Sequence, residues 1–316
     1  MRRPVKVFIT KYGTALAGLA VFAFFSLAAD TFLSSANVLN VLKQISYLTI
    51  LSLGFALALT TAELDLSFAN VCSLAGVACG GLIHHGYPVA LAVTAGLSAG
   101  LLAGFVNGLV VTRLRVPSLI ATLAMASTAN GAAFWLTKGV AYVGRWPEPF
   151  VALGRAKLLG VPVLAWWMFL ACALAWFLLK QTRLGLHLTF TGENDEAARL
   201  AGIPVKRMKI LGLTLSGLAA GVTAVLLTAS LSSAAPTSAG DLMLTSIAAV
   251  LLGMTMIEPG RPNVGGCLIG ALTIGALSNG LILVGAPYYA QDIILGVIIV
   301  ASVSLSASTV TKAAFG

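Results

Sequence analysis

The sequence predicts an all-α polytopic membrane protein with about ten transmembrane helices, arranged as an inverted five-helix repeat with both termini cytoplasmic. Three observations predict this class. Of the 316 residues, 59% are hydrophobic and only 9% are charged, whereas a soluble domain carries roughly 25% charged residues. Apolar runs of about 20 residues recur from end to end, and a run of that length spans a bilayer as a helix. The cations cluster on alternate connections, which the positive-inside rule reads as one side of a membrane.

The chain begins Met1-Arg2-Arg3-Pro4, with Lys6 and Lys11 before the first apolar run. This resembles a signal peptide, but no small-x-small cleavage site precedes Asp30, so a retained first helix is expected. Ten spans follow, at roughly 13–31, 45–61, 67–84, 88–111, 118–137, 163–180, 210–231, 243–257, 264–284 and 288–308. The connections are short, so residues 1–316 read as a single transmembrane domain with a cytoplasmic segment at 181–209. With the N-terminus inside, only Lys43, Lys138, Arg145, Arg155 and Lys157 of the nineteen Lys and Arg face outward. That asymmetry explains the net charge of +9 without nucleic acid as a partner. Four of those five outward cations lie in the segment 138–162, which reads as a folded external loop.

The fourth span carries Gly96, Gly100, Gly104 and Gly108 on one stripe, which lets a neighbouring helix approach closely. Gly104-Phe105-Val106-Asn107-Gly108-Leu109 ends this span, and Ala276-Leu277-Ser278-Asn279-Gly280-Leu281 ends the ninth. An offset of five spans between such segments reverses their direction, as in an inverted repeat.

Three groups of acids are candidates for function. Glu63 and Asp65, in Thr60-Thr61-Ala62-Glu63-Leu64-Asp65-Leu66-Ser67, have apolar sequence on both sides. A charge inside the bilayer usually faces a polar cavity or caps a helix, so Asp65 or Ser67 is a candidate cap for the third span. The second group is Glu193-Asn194-Asp195-Glu196-Ala197-Ala198-Arg199, closed by Gly202. It reads as a short helix with Asn194 as N-cap, Asp195 and Glu196 at the positive dipole end and an Asp195–Arg199 pair four residues apart. A helix this short needs something to dock on. The third group, Asp241 and Asp292, lines an outward-facing entry or caps helices at the membrane edge. Glu63, Asp65, Asn107, Asp241 and Asn279 are the candidate substrate-pathway residues.

There is no G-x-x-x-x-G-K-S/T phosphate loop, so the chain is not expected to hydrolyse ATP. No H-E-x-x-H or G-x-S-x-G motif is present, and the four cysteines form no C-x-x-C pair, so neither a metal site nor a catalytic one is expected.

Several segments together resemble the permeases of ribose- and xylose-type ABC sugar importers, within the branched-chain amino acid and sugar permease superfamily. Leu64-Asp65-Leu66-Ser67 is similar to that family's I-D-L-S. Asn107-Gly108-Leu109 and then Arg113-Leu114-Arg115-Val116-Pro117-Ser118-Leu119-Ile120-Ala121-Thr122-Leu123 follow its N-G-L and R-x-P-x-F/L-I-A/V-T-L. Glu196-Ala197-Ala198-Arg199 with Gly202-Ile203 follows its coupling segment, and Ala248–Gly253 and Asn279-Gly280-Leu281 its later part. The likeness runs from about Asn37 to Val303. Ala62-Glu63 and Glu258-Pro259-Gly260-Arg261-Pro262 depart from it, standing where glycines are usual.

The resemblance implies an importer permease in the bacterial inner membrane that translocates a monosaccharide or similar small polar solute by alternating access. It implies cytoplasmic ATPase subunits that use ATP and Mg, a second permease subunit, a periplasmic solute-binding protein, and no cofactor on this chain. Residues 193–202 are then the helix that sits in a cleft of the ATPase. An ion-coupled secondary transporter, or an ABC permease for nucleosides or branched-chain amino acids, stands as the alternative.

Overall fold

The computed structural model describes residue 16 and residues 18–305. The outer ends of the first and tenth expected spans, with Arg2, Arg3, Lys6, Lys11 and Lys312, lie outside these residues. Helices dominate: α1 (Gly18–Ala28), α2 (Ser35–Leu59), α3 (Phe68–His84), α4 (Val89–Arg113), α5 (Ser118–Thr137), α6 (Glu148–Arg155) and α7 (Val163–Gln181). After these come α8 (Arg183–Glu193), α9 (Asp195–Leu200), α10 (Val205–Leu231), α11 (Leu242–Gly253), α12 (Val264–Leu283) and α13 (Tyr288–Leu305). Six helices (α2, α4, α5, α7, α10 and α12) are long and apolar enough to cross a membrane. The apolar helices α1, α3, α11 and Tyr289–Ala301 within α13 are shorter.

The second span starts ten residues before the sequence placed it. Ser34 caps α2 by accepting the Asn37 N–H at 3.3 Å, and Asn37, Lys43 and Gln44 lie inside the helix. Hydropathy scored these polar residues as a connection. They are tolerated because α2 packs on protein over much of its length, and Asn37 finds its partners there. Lys43 is therefore part of a helix, and its long stem lets the charge reach past apolar neighbours.

Helices α2 and α10 form the centre. Around them, Leu51, Phe55, Phe68, Ala220 and Ala224 make a core in which the tilted rings of Phe55 and Phe68 meet at 5.5 Å. Helix α10 packs on α2, α3 and α4. Its crossing with α4 is nearly bare backbone. A Cβ at Gly100 would lie 2.3 Å from the Gly217 carbonyl oxygen, and one at Gly104 would lie 2.3 Å from that of Leu213. Gly108 faces the Ile210 backbone, and Gly96 faces Cys79 of α3. Contact this close gives van der Waals attraction where lipid removes the hydrophobic drive. Helix α12 packs on α11 in the same manner, with a Cβ at Gly270 only 2.0 Å from the Ala249 carbonyl oxygen.

The segment 138–162 is folded. Tyr142–Val143 (β1) pairs antiparallel with Ser233–Ala234 (β4), and Lys157–Leu158 (β2) pairs with Val161–Pro162 (β3). The two-residue turn of that hairpin has positive φ at Leu159 and Gly160, which matches the twist of the strands it joins. Between them, α6 buries Phe150 and presses Gly154 onto Ser230, and Arg155 Nε donates to the Ser230 carbonyl at 2.6 Å. Cys72, Cys79 and Cys267 are buried and Cys172 is half-buried; all four are free thiols.

Candidate functional site

The polar chemistry among the described residues gathers where the segment 181–209 meets the loop between α2 and α3. Thr182 turns α7 into α8, its hydroxyl accepting the Gly185 N–H at 3.1 Å. Asn194 then caps α9, its Oδ1 accepting from the N–H groups of Glu196 (3.1 Å) and Ala197 (3.0 Å). Gly202, at φ +82°, ends the turn, and the Ile203 N–H returns to the Ala198 carbonyl. The short helix does not stand alone: Ala198 packs into a small core with Leu188, Ile203, Val205 and Met208. Glu196, Ala197 and Arg199 stay exposed on the other side.

The expected Asp195–Arg199 pair is not formed. Asp195 Oδ2 instead meets Lys209 Nζ at 2.7 Å, and the same ammonium meets Glu63 Oε1 at 2.8 Å. Tertiary contact wins because Lys209 also answers a carboxylate that is 5% exposed, and a buried charge without a partner is costly. Two further pairs reach the α11–α12 connection: Glu193 of the segment with Arg261 at 2.8 Å, and Lys180 at the end of α7 with Glu258. Gly192 sits directly on the Thr60 carbonyl oxygen, 2.1 Å from where its Cβ would be. The acids at the two departures from the family pattern thus both pair with lysines, Glu63 with Lys209 of the segment 181–209 and Glu258 with Lys180 at the end of α7.

The loop 60–67 leaves α2 through Ala62 at φ 58° and is bonded along its length. The Leu64 N–H donates to Ser118 Oγ (3.2 Å), the Leu66 N–H donates to Thr122 Oγ1 (3.1 Å), and Thr122 Oγ1 donates to the Leu64 carbonyl (3.1 Å). Asp65, 1% exposed, accepts through Oδ1 from the Ser67 N–H (2.9 Å) and the Ser67 hydroxyl (2.5 Å). Asn107 Nδ2 donates to Ser67 Oγ at 2.9 Å. Ser67 occupies the N-cap position of α3, but its side chain makes no capping bond. Asp65 Oδ2 faces the Ser216 hydroxyl of α10, which favours the carboxylate there, although neither atom makes a hydrogen bond of full geometry among the described residues. Four helices thus converge on one buried carboxylate, with the Ser67 and Ser216 hydroxyls facing it.

The five candidate pathway residues do not form one site. Asp65 and Asn107 meet through Ser67, and Glu63 turns away to Lys209. Asn279 pairs with Asn37 through two amide bonds, at 2.9 and 3.0 Å, and this fastens α12 to the start of α2. Asp241 is exposed at the head of α11, where its carbonyl accepts from Thr245. Sequence reasoning missed Lys209 as a bridging residue and Ser216 as a neighbour of Asp65. Lys209 was visible only as one cation of a basic run. Ser118 and Thr122 lay within the quoted R-x-P-S-L-I-A-T-L run but carried no mark of their bonds to the loop.

Comparison with known proteins places this architecture. The family described as the permease component of branched-chain amino acid transport systems matches residues 37–303. The chain belongs to that family. The permease is 35% identical over 301 residues to the ribose import permease protein of Escherichia coli K12, covering 94% of each chain. It is 36% identical to the ribose import permease protein of Bacillus subtilis, covering 89% of this chain and 87% of that one. It is 32% identical to the L-arabinose ABC transporter permease protein of Azospirillum brasilense, covering 93% and 87%. This permease is thus a multi-pass membrane subunit of an ABC transport system.

Proposed function

We propose that this permease forms half of the membrane pathway of an ATP-driven importer for a monosaccharide, with α9 as the helix that receives motion from a separate ATPase subunit. The relatives named for ribose and L-arabinose support the substrate class, and the buried Asp65–Ser67–Asn107 cluster suits a hydroxyl-rich solute. The single observation that carries the coupling role is the Asp195–Lys209–Glu63 bridge. It joins the base of an exposed helix directly to the loop that holds Asp65. In this reading, ATP and Mg bind the partner ATPase, a second permease subunit completes the pathway, and a periplasmic binding protein delivers the sugar.

The site lies in the bacterial inner membrane, with ten spans and both termini in the cytoplasm. A five-span inverted repeat is supported by packing: α3 lies on α4 and α5 as α11 lies on α12 and α13, while α10 lies on α4 as α2 lies on α12. Ala62 after α2 and Ser232 after α10 share positive φ. The segment 181–209 is the coupling segment of a single permease domain, and the glycines at 96, 100, 104 and 108 set the spacing of its central crossing.

Uptake of radiolabelled ribose or L-arabinose by cells carrying the intact transporter tests this. Co-purification of an ATPase subunit is expected, together with loss of both uptake and co-purification in Glu196→Lys/Arg199→Glu. Uptake that survives ATP depletion and collapses with the ion gradient would overturn it in favour of a secondary transporter.

A further inference from the structure

A cavity of about 420 Å³ opens between the end of α4, the end of α9 and the start of α10. Four cations line it, namely Arg113, Arg199, Lys206 and Arg207, and Ile203 and Ile210 form its apolar part. No acidic residue lines it, and none of the four cations has a carboxylate partner among the described residues. This contrasts with Lys180, Lys209 and Arg261 on neighbouring elements, each of which is paired. The 27-residue helix α10 begins here, and Pro204 at its cap supplies no side-chain acceptor for the first N–H groups. The positive end of the helix dipole therefore adds to the four side chains.

The position relative to the membrane defines the ligand. Arg113 is the last residue of the apolar helix α4, and Leu114 beside it is 71% exposed. The cavity thus sits where apolar helix surface gives way to charge, at the depth of lipid headgroups. Basic pockets between spanning helices on the cytoplasmic side recognise anionic headgroups, each cation near the surface adding about 1 kcal/mol. We propose that this cavity binds the phosphodiester headgroup of an anionic phospholipid. The bound lipid would neutralise the cations and hold the end of α9 against the membrane surface. This inference rests on the cavity and its boundary position, and stands apart from the identity of the solute.

The test uses the full chain, purified in detergent, delipidated and titrated with dioctanoyl phosphatidylglycerol while native mass spectrometry counts bound lipid. Saturable binding of one lipid at this site is expected, with dioctanoyl phosphatidylcholine at least tenfold weaker. Arg113→Gln/Arg207→Gln should lower the phosphatidylglycerol affinity about 25-fold, at roughly fivefold per cation, with an unchanged thermal midpoint. Lys157→Gln, in β2, should change neither. If the double variant loses its fold, the exposed Lys206→Gln gives the reading, and about a fivefold loss supports the site. Equal binding of phosphatidylcholine, or parental affinity in Arg113→Gln/Arg207→Gln or Lys206→Gln, overturns the proposal. Inorganic phosphate that binds as tightly as the lipid also overturns it, because the site would then serve a free anion.

Discussion

Two connections of this molecule, α2–α3 and α10–α11, are built from opposite materials. The α2–α3 loop, residues 60–67, is charged and stitched: Glu63 to Lys209, Leu64 and Leu66 to the hydroxyls of Ser118 and Thr122, and Asp65 through Ser67 to Asn107. The α10–α11 connection, from Ser232 to Asp241, is made of small residues. It is held by the β1–β4 bridge, by the Ala239 N–H donating to Ser73 Oγ at 3.1 Å, and by Ser238 closing a turn on Ala235. The first is fastened to the segment proposed to take the ATPase, the second to the folded loop 138–162. A loop held by ion pairs and side-chain bonds moves as one piece with whatever pulls its partner. A loop held by a two-residue strand bridge follows its own surroundings.

The largest effect should come from breaking the stitched end at its cation. Lys209→Met leaves Glu63 buried without a partner and should cost about 3–5 kcal/mol, seen as a large fall in thermal midpoint in detergent. Adding Glu63→Gln should recover much of that loss while leaving uptake uncoupled from ATP hydrolysis. Recovery of both would show that the bridge is structural only. Next in size is Asn107→Leu, which takes a donor from Ser67 in a buried cluster and should cost about 1–3 kcal/mol. It is expected to depress uptake more than stability, measured as sugar transported per ATP hydrolysed.

The Asn37–Asn279 pair is a fastening away from both loops. A double-mutant cycle with leucine at each position should return a coupling of about 0.6–1.7 kcal/mol, and uptake should change little. Smallest is Ser238→Ala in the second connection, which loses both hydroxyl bonds to Ala235 but keeps the Ser238 N–H on the Ala235 carbonyl; it is expected to cost about 0.5–1.5 kcal/mol, read as a small shift in thermal midpoint. A loss there as large as that of Lys209→Met would erase the contrast between the two loops.

Much of the helix pattern was legible, because hydropathy measures the same transfer that puts a helix in lipid. It failed at the start of α2, where Asn37 and Lys43 are satisfied by protein contacts that a one-dimensional profile does not contain. The glycine stripe of α4 was visible as spacing, but its partners Leu213 and Gly217 were not. The short helix α9 was legible down to its cap, since Asn194 acts on residues two and three positions away. The site was legible only in its acids. Glu63 and Lys209 lie far apart in sequence, and a pair brought together by folding leaves no periodic trace. The same holds for Asp65 and Ser216, and for the strands β1 and β4, too short to show an alternation.

The four thiols have a practical consequence. Three are sealed within the bundle, and Cys172 lies half-covered in the apolar helix α7. A polar maleimide dye should therefore find almost nothing to react with on the native chain. An Ala197→Cys substitution, on the exposed side of α9, would then carry a single fluorophore against a dark background. The approach of an ATPase subunit could be followed by quenching in real time, without first rebuilding the protein free of cysteine.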